Sequence, residues 1–234
     1  MSALSIVQQA ALRLGISSPT AVATSVDPQV LQLLALLNAE GIALAARTNW
    51  QALTVETSFV TVATEIQGSM ATIAPGCKFV INDTIWNRDL RRPVFGPLAP
   101  QIWQQQKAMF MQGPWNQYRI VDGDIKFVPV PAAGQNCYFE YVSVNWAQSS
   151  GGTGQSSFLA DSDTTLLDEE AMTLGLIWRW KQMKGFDFEI DGRAYDQYVT
   201  NLIGRDAAKP VLNGGMVAYD IYPGVYVPAG SWGT

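Results

Sequence analysis

Apolar residues recur at helical spacing near the start of the chain. Between residues 4 and 14 they fall three or four positions apart, which places them on one face of a helix. Ser2 is suited to cap that helix and Gly15 to end it. Asp27 and Pro28 then begin a second, longer helix that is apolar almost all round. A helix of that kind belongs in a core or at a subunit interface.

Alternation of β-branched and polar residues characterises the middle of the chain. Residues 54–62 alternate in this way and predict a strand. Asp122-Gly123 lies between two further alternating runs, which is a strong signal for a β-hairpin. The other elements predicted here are short strands at 70–73, within 78–90 and at 138–144, and a short helix at 101–111.

The last third of the chain returns to helical patterns. Residues 148–157 are rich in Gly, Ser and Gln, which predicts a flexible linker or loop. The helices predicted after it run from 166 to about 184 and from 188 or 191 to about 208. Candidate N-caps for the first lie at 161–165, Gly185 ends it, and Pro210 blocks continuation of the second.

These elements predict an α+β fold. The N- and C-terminal helices are expected to form one helical bundle, which a β-rich insert interrupts in sequence. The bundle comprises residues 1–50 and 163–209, the insert comprises 51–162, and an extended C-terminal arm comprises 210–234.

The arm has a composition of its own. Residues 211–234 contain one charged side chain and many Gly and Pro residues, so they fit neither a helix nor a core. Its large aromatic residues are expected to bind a partner: Tyr219, Tyr222, Tyr226 and Trp232. A frayed terminus without function is the alternative.

The chain is short of charge. Apolar residues make up 48% and charged residues 15% of the 234 residues, against about 25% charged in a typical soluble domain. Such a surface is expected of subunits whose faces are largely covered by partners. The chain also contains no histidine, which excludes Ser-His-Asp, Cys-His and His-zinc chemistry.

The two cysteines, Cys77 and Cys137, lie far apart in apolar surroundings. Alone they cannot build a zinc or iron–sulfur site. A disulfide between them is possible in principle, but buried free thiols are favoured, consistent with assembly in a reducing cytoplasm.

The net charge of −5 and the absence of a basic patch argue against a protein that grips nucleic acid. The N-terminus lacks the cationic region and the cleavage site of a signal peptide. No apolar run reaches the roughly 18 residues of a membrane span, so no membrane contact is predicted.

Acidic clusters are the candidates for chemistry. Asp168, Glu169 and Glu170 could pair carboxylates for glycoside hydrolysis, although acids at a helix start are favoured by the helix dipole alone. Acidic residues between 187 and 196 resemble part of a calcium loop, but no bidentate Glu follows at the required place. We therefore predict no catalytic residue, cofactor or metal. Of the two neighbouring tryptophans Trp178 and Trp180, at least one is predicted to lie in the core of the protein.

The order of elements and several local sequences resemble the adaptor or head-to-tail connector proteins of tailed bacteriophages, often called tail tubular protein A. The matching segments cover most of residues 1–210 and are AALRLG at 10–15, LNAEG at 37–41, AARTNW at 45–50, TSF at 57–59, FVPVP at 127–131 and LGLIWRWKQMKGFDF at 174–188. Each segment is a weak structural motif, and their order and spacing carry the resemblance.

The resemblance implies a structural virion protein without catalysis. Members form a ring, usually of twelve copies, which docks under the portal protein and offers its other face to the tail nozzle or tail tube. The partner of the aromatic arm is then expected to be the portal protein or a neighbouring subunit. Genomic DNA passes through the lumen during ejection without specific binding. The implied location is the neck and tail of the virion, after assembly in the host cytoplasm.

Two other classes of function stay open from the residues. One is a virion-associated glycoside hydrolase that uses acidic residues such as Asp168 or Glu170. The other is a bacterial cytosolic module that binds a small ligand. An oligomeric ring would favour the connector over both.

Overall fold

The structure, a computed structural model, describes residues 2–109, 113 and 115–206. The helices in this part of the chain are α1 (Ala3–Leu14), α2 (Pro28–Arg47), α3 (Met70–Ile73), α4 (Pro100–Ala108), α5 (Glu169–Lys184) and α6 (Glu189–Asp206). Together with antiparallel sheets they confirm the α+β class. The predicted arm, residues 210–234, lies outside the described residues.

The strands form three sheets, and all pairs between strands are antiparallel. They are β1 (Thr54–Val60), β2 (Ile66–Ser69), β3 (Cys77–Val80), β4 (Trp86–Asn87), β5 (Arg92–Pro93), β6 (Gln117–Val121), β7 (Asp124–Val128), β8 (Asn136–Ser143), β9 (Ala147–Gln148), β10 (Gly154–Gln155) and β11 (Thr164–Thr165). The largest sheet has the order β1-β8-β4-β5, with β3 also paired to β8. The other two have the orders β2-β7-β6 and β10-β9-β11.

The ends of the long helices follow local chemistry. The Ser2 hydroxyl accepts from the Ser5 N–H, and the Asp27 carboxylate accepts from the Gln29 N–H, which satisfies donors that the first turn leaves free. Gly15 ends α1 in the left-handed conformation that suits glycine. These predicted ends are confirmed.

The start of α5 lies later than the sequence predicts. The cap is Asp168, whose carboxylate accepts from the Ala171 N–H at 2.8 Å, and not a residue of 161–165. Residues 164–165 instead form strand β11. The acidic first turn at Glu169 and Glu170 and the end at Gly185 are as predicted.

The Asp122-Gly123 hairpin is confirmed. It joins β6 to β7 with Val121 opposite Asp124. Both turn residues have positive φ, 59° at Asp122 and 77° at Gly123. That combination is the one a two-residue turn needs to match strand twist.

One prediction in the middle of the chain is wrong, and another is confirmed only in part. Residues 70–73 form the short helix α3 and not a strand, because Ser69 caps it through the Ala71 N–H and Met70 is buried. Residues 148–157 are predicted to be a flexible linker or a loop, and most of them, 149–153 and 156–157, form a loop. The chain turns back within them, so that Gly154 pairs with Gln148 in the smallest sheet.

Buried side chains form two clusters. One lies among α1, α2, α5 and α6 and includes Trp146 and Phe158 from the chain after β8. The other lies between the two larger sheets and includes Phe59, Tyr118 and Phe139. Strand β8 contributes to both clusters, so it links the helical and sheet parts; the predicted domain boundaries themselves stay a prediction.

Two glycines permit the close packing of α2. A Cβ placed on Gly41 would lie 2.4 Å from the Trp146 ring, and one placed on Gly175 in α5 would lie 2.3 Å from the Glu40 carboxyl carbon. Real Cβ atoms do not approach other atoms so closely. Glycine is therefore required at both positions for steric reasons and not for backbone freedom.

We expect Gly41→Ala to lower the free energy of unfolding by about 1–3 kcal/mol, because the added methyl overlaps the buried Trp146 ring. Gly192→Ala in α6 is the matched control. A Cβ placed on Gly192 would meet no neighbouring side chain or element within 4 Å among the described residues, so this change should raise stability by about 0.5–1 kcal/mol through helix propensity. Urea unfolding followed by circular dichroism measures both, and equal effects would contradict the packing argument.

Candidate subunit interface

A buried polar contact joins three helices. Glu40 in α2 has no exposed surface. Its Oε2 accepts from Nε of Arg179 in α5 at 2.5 Å, and its Oε1 accepts from the hydroxyl of Tyr195 in α6. Both carboxylate oxygens thus have a donor, which a buried carboxylate requires.

Charge and burial shift the acid–base properties of this contact. Burial raises the pKa of Glu40 above its ordinary value, and hydrogen bonds from Tyr195 and Arg179 oppose that rise. Burial and the neighbouring Glu40 also raise the pKa of Tyr195, which stays protonated and donates. Arg47 lies over the Tyr195 ring at 5.3 Å and binds Asp196 at 2.9 Å, so it closes the solvent side of the contact.

The opposite side of α2 is uncovered and apolar. Its exposed residues recur three or four positions apart and form one stripe along the helix, which we call the α2 stripe: Leu31, Ala35, Ala39, Ile42 and Ala46. Ile42 is 59% exposed. Both charged residues of α2, Glu40 and Arg47, are engaged by other helices and contribute no charge to the stripe.

Helix α2 is also long and apolar enough, by length and composition, to cross a membrane. No span is predicted from the sequence, and a core helix passes the same test. Leu33, Leu37 and Leu44 lie in the helical core, and Glu40 is paired there. These core contacts explain why the inner face of α2 is apolar. No described residue covers the α2 stripe on its outer face.

A groove lies beside the stripe, where α2 meets the largest sheet. We call it the α2 groove; its volume is about 330 Å³ and its lining residues include Ile42, Ala45, Ala46, Lys78, Val144 and Trp146. Trp146 is buried, while Ile42 and Val144 are exposed. Lys78 is exposed and has no ion-pair partner in the part of the chain that the structure describes.

A second apolar surface lies at the turn between α5 and α6, which we call the hairpin tip. Met183, Phe186 and Ile190 are all exposed, Ile190 by 75%. Lys181 and Asp191, 2.5 Å apart, tie the two helices together just inside the tip. The tip and the α2 stripe share no residue and lie on different helices, so we treat them as two apolar patches.

The residues predicted to bind a partner, Tyr219, Tyr222, Tyr226 and Trp232, lie outside the described residues. The acidic candidates have structural partners. Asp168 caps α5, and Glu170 binds Arg13 of α1 at 2.6 Å. The hydrolase hypothesis stays a prediction.

The acidic residues between 187 and 196 are dispersed over separate contacts. Glu189 binds Arg193, Asp191 binds Lys181, and Asp196 binds Arg47. Among residues 2–109, 113 and 115–206, no three Asp, Glu, Cys or His side chains are grouped closely enough to hold a metal ion.

The cysteines are free thiols, as favoured from the sequence. Cys137 is buried, and Cys77 only half-buried. Burial, with a smaller effect of Asp89, raises the pKa of Cys137 to about 12. That thiol stays protonated at neutral pH and is a poor nucleophile. Trp180 is buried, which confirms that one tryptophan of the pair is core.

Sequence reasoning identified the role of α2 only in general terms. An almost all-round apolar helix predicts a core or an interface, and the structure gives α2 one buried and one uncovered face. The Glu40–Arg179 contact was missed. Its signal is an acidic residue alone inside an apolar helix, which needs a cation from elsewhere in the fold.

No family model matches the chain, and no curated protein matches it.

We expect Arg179→Met to lower the free energy of unfolding by about 3 kcal/mol at pH 8, because it leaves the Glu40 charge buried and unpaired. The raised pKa of Glu40 gives the sign of the pH dependence. The loss is complete above the folded-state pKa of Glu40 in the variant, which lacks the opposing Arg179 bond. It fades as pH falls through the folded-state pKa of Glu40 in wild type, below which the carboxyl is protonated in both folded proteins. Denaturant titrations at pH 8 and pH 5 measure it.

The matched control is Arg13→Met. The partner of Arg13, Glu170, is partly exposed, so this change should cost under about 1 kcal/mol with little dependence on pH. A deficit in Arg179→Met that grew at acidic pH would contradict the assignment.

Proposed function

We propose that the protein is a non-catalytic structural virion subunit that assembles into a ring, most simply of twelve copies, between the portal and the tail or nozzle of a tailed bacteriophage. The observation that carries the proposal is the uncharged, uncovered α2 stripe. A long exposed apolar face marks a surface that a partner covers. The resemblance of residues 1–210 to connector proteins supplies the identity of that partner.

Two apolar patches support a ring in preference to a two-fold dimer. A two-fold interface uses the same patch on both subunits, whereas a head-to-tail interface joins different patches and closes into a ring when its rotation permits. The α2 stripe and the hairpin tip satisfy that requirement, since Ile42 and Ile190 belong to different surfaces on different helices.

The net negative charge of the chain supports a role of the ring as a conduit for DNA. The chain has a net charge of −5 and no histidine, and each copy adds negative charge to the ring. A negatively charged lumen repels phosphates and lets DNA pass without being held. In this proposal the ring contacts the portal on one side and the tail nozzle or tail tube on the other. The virion neck, after assembly in the host cytoplasm, is its location.

We expect the purified chain to form a ring, alone or on its portal, and Ile42→Asp to prevent it. An ionised carboxylate in the centre of a packed apolar interface is costly to desolvate. Native mass spectrometry and negative-stain imaging measure the oligomer. Leu90→Asp is the matched control, because Leu90 is similarly exposed but lies in the sheet part of the molecule.

The proposal fails if the wild-type chain stays monomeric and never binds a portal. It also fails if Ile42→Asp and Leu90→Asp assemble equally well, because the α2 stripe would then not be the contact. Peptidoglycan zymography separates the enzyme alternative. Cleavage that disappears on changing Asp168 or Glu170 to Ala would favour a hydrolase.

Deletion of residues 211–234 tests the aromatic arm. The deletion removes Tyr219, Tyr222, Tyr226 and Trp232, the large aromatic anchors of the arm. We expect loss of docking to the portal, measured by co-sedimentation, while circular dichroism and thermal unfolding stay close to wild type. Unchanged docking would show that these residues do not bind the portal.

A further inference from the structure

The α2 groove has no cover among the described residues, and it has a defined chemistry. Its lining is mainly apolar, with Ile42, Ala45, Ala46, Val144 and the buried Trp146, and it includes the hydroxyl residues Ser143 and Ser156. Lys78 is the single charged residue of its lining and has no carboxylate within ion-pair distance in the described chain. An occupant that fits is apolar, extended, and carries one negative charge.

The segment after α6 has that chemistry. Residues 211–234 contain one charged side chain, Asp220, and no Lys or Arg. Tyr219 precedes that carboxylate directly and Tyr222 follows two residues later. Aromatic side chains with two rotatable bonds give large contact area at low entropic cost. One acidic residue among aromatics thus matches one lysine in an apolar groove.

The segment also begins close enough to the α2 groove to reach it. Asp206, the last residue of α6, accepts through Oδ2 from the Gln51 N–H at 2.9 Å. Gln51 follows Ala46 of the groove by five residues, so their Cα atoms are at most about 19 Å apart. The chain from Asp206 to Tyr219 spans up to roughly 40 Å when extended. The extended chain from Asp206 to Tyr219 is therefore longer than the distance from Asp206 to the α2 groove.

We propose that the C-terminal segment 211–234 of the free chain binds the α2 groove of its own subunit. Its tyrosine side chains cover Ile42 and Val144, and Asp220 lies beside Lys78. Tethering places the segment at an effective concentration of the order of millimolar, so that individually weak contacts suffice.

Docking in this way competes with assembly. Ile42 and Ala46 belong both to the groove and to the α2 stripe, so a bound segment shields the surface assigned above to the neighbouring subunit. This consequence rests on the proposed ring, whereas docking itself does not. A chain that never forms rings but docks its segment would therefore contradict the proposed function alone.

Photo-cross-linking in the full-length chain tests the docking. Tyr222 is replaced by p-benzoyl-phenylalanine, and the monomer is isolated by size exclusion, irradiated and digested. We expect cross-links within one chain to peptides that contain residues 42–46 or 143–146. Cross-links to other regions, cross-links only between chains, or none at all would each overturn the proposal.

Charge reversal adds a second readout. Lys78→Glu should reduce the yield of the intramolecular cross-link by about two- to fivefold, the range for one exposed ion pair. The double variant Lys78→Glu with Asp220→Lys should restore it. Arg91→Glu is the matched control, because it makes the same charge change at an exposed turn elsewhere. Equal yields in Lys78→Glu and Arg91→Glu would refute the Lys78–Asp220 contact.

Discussion

The rest of the structure depends on how α2 accommodates a buried carboxylate. Glu40 packs directly against Gly175 of α5, and this approach is possible because Gly175 has no side chain. Arg179 and Tyr195 then supply donors from two other helices. Removing a carboxylate from water costs several kcal/mol unless it is paired and hydrogen-bonded. One position thus constrains the arrangement of α2, α5 and α6.

That constraint also determines which side of α2 faces outward. An almost all-round apolar helix has no strong preference of its own for one rotation about its axis. The Glu40 contact and the fit of Gly41 against Trp146 select one rotation. Buried polar groups used in this way contribute specificity more than stability. The α2 stripe is uncovered because Glu40 and Gly41 occupy the inner face.

Local chemistry was sufficient to predict both ends of α1, the start of α2, the end of α5 and the Asp122-Gly123 hairpin, since caps and turn residues act within a few positions. A short apolar run at Met70 suits a strand or a helix, and the local cap at Ser69 favours the helix. Prediction also failed where tertiary pairing decided the outcome. Gln148 lies in a polar, glycine-rich stretch, yet it pairs with strands on both sides. The Glu40–Arg179 contact joins residues 139 positions apart, beyond any local pattern.

These contacts show which parts of the protein lack charged side chains. The ion pairs outside Glu40 are partly or largely exposed, as at Arg13–Glu170 and Arg193–Glu189, and such pairs add little stability. The few charges of the protein are therefore not concentrated in its core. They are missing from one outer surface, the stripe of α2, and, but for Asp220, from the segment after residue 210. One long helix face is thus nearly without charge, and so, in sequence, are residues 211–234. The connector assignment and the docking proposal each account for one of them.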